Sequence, residues 1–237
     1  MSKIYQHSTL AALMAKQMQG TTTIGELLEH GDTGIGTLEG VDGELIILDG
    51  EVYHADEFGN INHITDMETK TPFATVHFAS DAANDLELDP TDFAGLSDLQ
   101  DQYAFKNNFA SLRLHGDFKY VYVRAAPKSE APYPSLLQVA QKQPTFTAEN
   151  ISGTIVGYFS PKLYQGTVAA GWHLHFLSDD HQFGGHLLET QTDALSGTLE
   201  SFSDFQIHLP IDDEDFRDHT PVLENLKQKI QSAEGGH

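Results

Sequence analysis

The sequence predicts an α/β fold of the α+β type, with two domains that are each a mixed β-sheet flanked by helices. Three observations predict it. The chain has 237 residues, 39% hydrophobic, with 20 Gly and 9 Pro, which is globular composition long enough for one large domain or two modest ones. An opening helical segment gives way after Gly34 to short strand-like runs separated by turn residues. A proline-rich stretch over residues 126–134 then precedes a second half built in the same style. The expected division is therefore an N-terminal mixed-sheet domain at 1–130 and a C-terminal one at 131–237.

Ser8 followed by Leu10, Leu13, Met14 and Met18 has helical spacing with Ser8 as N-cap, and residues 23–29 suit a second short helix. The runs at 35–38, 44–48, 51–54 and 75–78 read as a meandering sheet. Residues 81–101 are acidic and turn-rich, with a helix expected over 97–105. Residues 111–115 and 119–125 flank Gly116-Asp117 and read as a β-hairpin. Side chains alternate across a strand, so Tyr120, Tyr122 and Arg124 share one face, with Val121 and Val123 on the other. After the prolines come a helix over 135–143 and strands at 153–159, 172–177, 185–192 and 202–208. A C-terminal helix follows, capped by Thr220 with Pro221 at its first position.

Lys and Arg number 13 against 35 Asp and Glu, a formal net charge of -22. Such a surface is solvated and opposes the counterion-release binding that nucleic acids reward. Cysteine is absent, so there is no disulfide framework and no Cys nucleophile, and a metal must use His, carboxylate or water. The apolar stretch around Leu10 to Met14 is broken by Lys16 and Gln17 and carries no signal-peptide pattern. No run approaches the roughly 20 apolar residues of a membrane span. A cytoplasmic protein with neither nucleic-acid nor membrane partners is expected.

The stretch richest in chemistry is Gly171-Trp-His-Leu-His-Phe-Leu-Ser-Asp-Asp-His-Gln-Phe-Gly-Gly-His186. On a strand, His173 and His175 project to the same side and can converge on one ion. The polar segment 178–183 can reverse the chain and bring His186, just after Gly184-Gly185, beside them. Three His ligands leave coordination positions open, as catalysis by a Lewis-acid metal requires. The His-x-His pair alone is as compatible with two hydrogen-bonded histidines; the third His shifts the balance toward a metal. His181, in the turn, reads as a solvated bystander.

Arginine occurs at Arg113, Arg124 and Arg217. Arg124 is the candidate to bind a substrate carboxylate or a developing oxyanion, because its planar fork matches two oxygens and stays charged. Arg113 competes with it, and either can instead pair with surface carboxylates. The segment from Gly34 to Tyr53 is dense in glycine and carboxylates, Glu44 among them, but tight hairpins alone explain that density. A Gly-x-x-x-x-Gly-Lys phosphate loop, a Gly-x-Ser-x-Gly elbow and a His-Glu-x-x-His helix are all missing.

Taken together, these segments resemble the acetolactate decarboxylase family over nearly the whole chain. The phrases that carry the resemblance are Gly36-Thr37-Leu-Glu-Gly-Val-Asp-Gly-Glu44, Leu48-Asp-Gly-Glu-Val-Tyr53, Arg113-Leu-His-Gly-Asp-Phe118, the strand ending at Arg124, and Gly171 to His186. The resemblance implies a zinc enzyme of two α/β domains, usually a homodimer, with its active site between the domains. It implies His173, His175 and His186 as zinc ligands, Arg124 as the substrate-binding arginine, Glu44 as an essential glutamate and Thr37 as a pocket residue. It also implies a functional glutamate near the C-terminus, placed at Glu234 with Glu224 as a rival.

The reaction so implied removes CO2 from (S)-2-acetolactate to give (R)-acetoin, in the acetoin and butanediol branch of pyruvate metabolism. Zinc would stabilise the enediolate in place of an organic cofactor, Arg124 would bind the substrate anion, and Glu44 or Glu234 would deliver the proton. A second reading takes the His pattern as a structural zinc site in a regulatory or binding module of the plant-and-prokaryote-conserved type. The acidic charge and the match at Glu44 and Arg124 favour the enzyme. A third keeps the three-His site but assigns it to another metal-dependent lyase or hydrolase.

Overall fold

The computed structural model describes residues 3–80 and 83–219. The chain enters as a strand, β1 (Lys3–His7), with no alternation to announce it, because Gln6 and His7 are polar yet buried. Helix α1 (Leu10–Met14) starts later than expected: Ser8 takes a left-handed φ of 63°, and Thr9 caps instead, accepting from the Ala12 N–H. Strand β2 (Thr22–Thr23) leads into α2 (Ile24–Leu28), where Thr23 and Glu26 form a capping box. An antiparallel meander follows: β3 (Thr33–Leu38), β4 (Asp42–Leu48), β5 (Glu51–Ala55) and β6 (Ile61–Ile64). Asp49 and Gly50, both at positive φ, make the two-residue turn that suits the twist of β4 and β5.

Strand β7 (Lys70–Thr71) pairs with β2, and β8 (Phe73–His77) lies beside β3. The acidic stretch holds β9 (Asn84–Leu88) and two short helices, α3 (Phe93–Ser97) and α4 (Leu99–Gln102), rather than one helix over 97–105. Strand β10 (Phe109–Arg124) corrects the expected hairpin: the strand runs straight through Gly116-Asp117. Gly116 is paired on both sides, with Gly153 and with Leu195, and these long-range ladders override its local turn propensity. Helix α5 (Leu136–Ala140), with a Ser135–Gln138 capping box, precedes β11 (Thr145–Ser160), β12 (Gly171–Ser178), β13 (Gly184–Phe202), β14 (Asp204–His208) and α6 (Glu214–Asp218). The expected helix from Thr220 lies outside the described residues.

The first sheet has the order β14-β1-β8-β3-β4-β5-β6 and is antiparallel except for the β1–β14 pair. In the second, of order β10-β11-β12-β13-β9, strand β13 also pairs with β10, so β10 to β13 close into a ring. The division expected at 130/131 thus falls between β10 and β11, which are neighbours in one sheet, while β14 crosses back to the first sheet. The fold is mixed α+β with short helices at the margins.

The pleat decides which residues meet between the sheets. Leu174 and Phe176 of β12, with Ile155 and Phe159 of β11 and Val121 and Val123 of β10, fill the ring interior. There Phe118 and Phe176 meet edge to face at 4.9 Å, and burial of each such side chain stabilises the fold by about 1.5–3 kcal/mol. The opposite parity faces the first sheet: Val156, Tyr158 and Leu177 pack against Ile4, Ile35 and Ile46. The other face of the first sheet, with Leu45, Ile47 and Val76, is covered by Ile24 and Leu27 of α2. His173 and His175 share the parity of Leu177, and Glu44 that of Ile46. All three are thereby committed to the layer between the sheets.

Candidate active site

The β12–β13 turn brings three histidines together. The Ser178 N–H donates to the Phe183 carbonyl at 2.8 Å, and Ser178 Oγ accepts from the Phe183 N–H at 3.0 Å, closing the polar segment into a tight loop. Gly184 and Gly185 follow, and their role is close packing rather than flexibility. A Cβ on Gly184 would lie 2.6 Å from the Phe176 carbonyl oxygen, and one on Gly185 would lie 2.7 Å from that of Arg124. His186 then pairs in register with His175 on one side and Arg124 on the other. Directly opposed residues share a face, so Arg124, His186 and His175 form a row, with His173 two residues along β12.

The ring nitrogens converge. His173 Nε2 lies 3.3 Å from His175 Nε2 and 3.0 Å from His186 Nδ1. One ligand atom from each of the three lies within 4.8 Å of the others, an arrangement that could hold a metal ion. His175 Nδ1 lies 2.8 Å from the Leu45 carbonyl. A carbonyl only accepts, so Nδ1 carries the proton and Nε2 presents its lone pair to the cluster, the arrangement typical of a metal-ligating imidazole. Burial, then the positive charge of Arg124, lowers the His173 pKa to about 4. Burial, then His173, holds His175 well below its ordinary value. Neutral imidazoles without thiolates suit a borderline metal such as zinc, so the donor set fits the metal expected from sequence.

Around this cluster the structure assembles the other expected residues. Glu44 on β4 is buried, with Oε2 3.4 Å from His175 Nε2. Thr37 on β3 is buried and donates its hydroxyl proton to the Gly43 carbonyl at 2.7 Å, which leaves its oxygen able to accept. Arg124 Nη2 lies 3.4 Å from His186 Nε2, and its Nε is buried with no partner among the described residues. Arg113 is spent elsewhere, in a fork-to-fork pair with Asp49 at 2.6 and 2.7 Å. His115 pairs with Asp179, and His181 packs on Tyr53, both away from the cluster. Glu234 and Glu224 lie outside the described residues.

The alpha-acetolactate decarboxylase family matches residues 4–221. The chain belongs to this family. The alpha-acetolactate decarboxylase of Lactococcus lactis subsp. lactis is 40% identical over 98% of both chains. That of Streptococcus thermophilus is 41% identical over 79% of both. Among solved structures, a Staphylococcus aureus protein described as similar to alpha-acetolactate decarboxylase superposes with a TM-score of 0.93, at 36% identity, over 98% of this chain and all of the other. The Bacillus subtilis alpha-acetolactate decarboxylase gives the same TM-score at 28% identity, over 98% of this chain and 99% of its own.

In this member of the alpha-acetolactate decarboxylase family, Thr37, Glu44, Arg124, His173 and His186 line one cavity of about 70 Å³. Its remaining wall is largely apolar, with Ile35, Phe73, Leu136 and Val168 among the contributors. A cation, a carboxyl group and imidazole lone pairs inside an apolar enclosure can bind a small anion, exclude water and transfer a proton. The cavity also takes in Gln6, Tyr158 and Gln143, which carry no sequence motif. Tyr158 could have been found by counting: it is the register partner of His173. No helix of the described residues is long and apolar enough to cross a membrane.

Proposed function

We propose that the chain catalyses the zinc-dependent decarboxylation of (S)-2-acetolactate to (R)-acetoin. The observation that carries this reading is that Arg124, Glu44, His173 and His186 line one cavity, with His175 clustered beside the other two histidines, in a chain that matches its family over residues 4–221. Bound by His173, His175 and His186, zinc supplies a Lewis acid that stabilises negative charge on the substrate's oxygens.

The chain's own groups do the rest. The guanidinium of Arg124 binds the substrate carboxylate, and its charge offsets the charge that moves onto the carbon framework as CO2 leaves. The apolar wall around Leu136 and Val168 takes the two methyl groups and keeps water from the carbanionic carbon. Glu44, buried beside His175, holds the proton that replaces CO2, and a donor fixed on one side makes the product chiral. Glu234 is the alternative donor. Acetoin formation and its enantiomeric excess in Glu44→Gln and Glu234→Gln separate the two, since the true donor's variant loses turnover or stereochemistry.

A homodimer in the cytoplasm, each chain divided near residue 131 with the site between the two parts, belongs to the same reading and is supported by the family resemblance. The family match over residues 4–221 favours an enzyme over a binding module with structural zinc. The deciding experiment measures acetoin from racemic 2-acetolactate before and after metal removal and zinc restoration. Activity that vanishes with the metal and returns with zinc is expected. A folded, zinc-loaded protein that makes no acetoin would overturn the proposal.

A further inference from the structure

We infer that Gln143 sets substrate specificity by accepting the hydrogen bond of the substrate's hydroxyl group, an inference that rests on the decarboxylase reading above. Gln143 follows α5, where the chain turns into β11. The Ala125 N–H donates to the Pro144 carbonyl at 3.3 Å, and Arg124 pairs in register with Thr145. These contacts hold Gln143 beside the end of β10 that carries Arg124, and both residues line the same cavity. Among the described residues, Gln143 Oε1 is buried with no hydrogen-bond partner, as is Arg124 Nε. Gln165 Nε2 and Trp172 Nε1, also unpartnered, do not line this cavity.

A buried polar atom without a partner destabilises a fold, and one unpaired acceptor and one unpaired donor at the same cavity are explained together by a ligand that engages both. The 2-acetolactate anion has a carboxylate, a ketone and a tertiary hydroxyl, and that hydroxyl is its single hydrogen-bond donor. Arg124 can only donate and suits the carboxylate; Gln143 Oε1 accepts, repels a carboxylate and suits the hydroxyl. The two substrate groups sit on one carbon, and the two side chains line one cavity. Thr37 and Glu44, the other acceptors near the cluster, belong to the first sheet. A site that pairs with a hydroxyl discriminates against acids that lack it, because the acceptor is then left buried and unmade.

The test uses zinc-loaded wild type, Gln143→Leu and Gln143→Asn, the last keeping the amide but withdrawing it. Acetoin kinetics, zinc content and inhibition by 2-hydroxy-2-methylpropanoate and by 2,2-dimethylpropanoate, which has methyl in place of hydroxyl, are measured. Both variants are expected to keep full zinc content, to raise KM by on the order of tenfold, and to lose a similar factor of the preference for the hydroxy acid. Unchanged KM and unchanged inhibitor preference in folded variants would overturn the inference. If the wild type makes no acetoin, the decarboxylase reading fails instead, and calorimetric binding of the two acids still decides the role of Gln143.

Discussion

Replacing Arg124 and Arg113 in turn by Met separates a site arginine from a structural one on the same strand. Arg124 is the buried-end case: among the described residues its Nε lacks a partner, its Nη2 lies 3.4 Å from His186 Nε2, and it lines the cavity. Two charge-assisted hydrogen bonds to a bound carboxylate are worth about 3–5 kcal/mol together, which corresponds to a loss of roughly 10²- to 10⁴-fold in kcat/KM. Arg113 is half-buried and paired with the exposed Asp49. Exposed pairs contribute about 0.2–1 kcal/mol, so Arg113→Met should lower the melting temperature by less than about 4 °C and leave kcat/KM within a factor of about two. Steady-state acetoin kinetics and thermal unfolding on the two variants are sufficient. Equal kinetic losses at both positions, or an active Arg124→Met, would show that the placement of Arg124 has been misread. Arg124→Lys sharpens the result, since it keeps the charge but loses the fork and should recover only part of the activity.

Three further outcomes follow from the geometry. Removing an imidazole in His175→Gln should weaken zinc binding by more than about 100-fold, read as zinc per chain after dialysis; full retention would exclude His175 as a ligand. A Cβ added by Gly157→Ala would lie 2.1 Å from the His173 carbonyl oxygen and 2.9 Å from Leu174 Cα, both backbone atoms of the ligand strand. The ladder must shift, so both stability and zinc content should fall, whereas the same substitution at Gly50, where nothing lies within 4 Å, should leave zinc content unchanged despite its backbone strain. Burial, then His208, lowers the His7 pKa to about 4, and burial, then Arg113, outweighs Asp32 in lowering His77 to about 4. Unfolding releases each to about 6.5, so the unfolded chain binds protons that the folded chain refuses. Their stabilising effect is complete above about pH 6.5 and is lost as pH falls toward 4, about 3 kcal/mol for each group. Urea unfolding between pH 7.5 and 4.5 should show that slope, to which the buried His173 and His175 also contribute, and His77→Gln should flatten it in part.

Local chemistry was readable where a few neighbouring residues decide the outcome. The short helices expected over 23–29 and 135–143, the break between the strands expected at 44–48 and 51–54, and the His173-x-His175 pair each depend on nearby residues, and each has its counterpart in the structure, the helices as Ile24–Leu28 and Leu136–Ala140. Elements that depend on distant partners were not. Strand β1 hides behind buried polar side chains whose hydrogen bonds come from elsewhere: Gln6 Nε2 donates to the Thr167 carbonyl, and His7 meets His208. Gly116-Asp117 has the composition of a turn, yet two flanking strands claim its backbone.

The same dependence governs the placement of Arg124. In the first part of β10, Ala110, Leu112, Leu114 and Phe118 face the ring interior, all at even positions, whereas farther along it is Val121 and Val123 that do so. Between Phe118 and Val121 the pleat changes phase, where pairing with β13 slips and Asn150 of β11 turns to a φ of 53°. An unbroken alternation would have aimed Arg124, also even, into the apolar ring, where an unpaired guanidinium could not be accommodated. The phase change turns it instead onto the face of His186. The sequence shows Arg124 opposed to Val121 and Val123, and that much was readable. Which of those faces meets the imidazoles is set by ladders to β11 and β13, so the irregularity between Phe118 and Val121 is as much a part of the active site as the residues that line it.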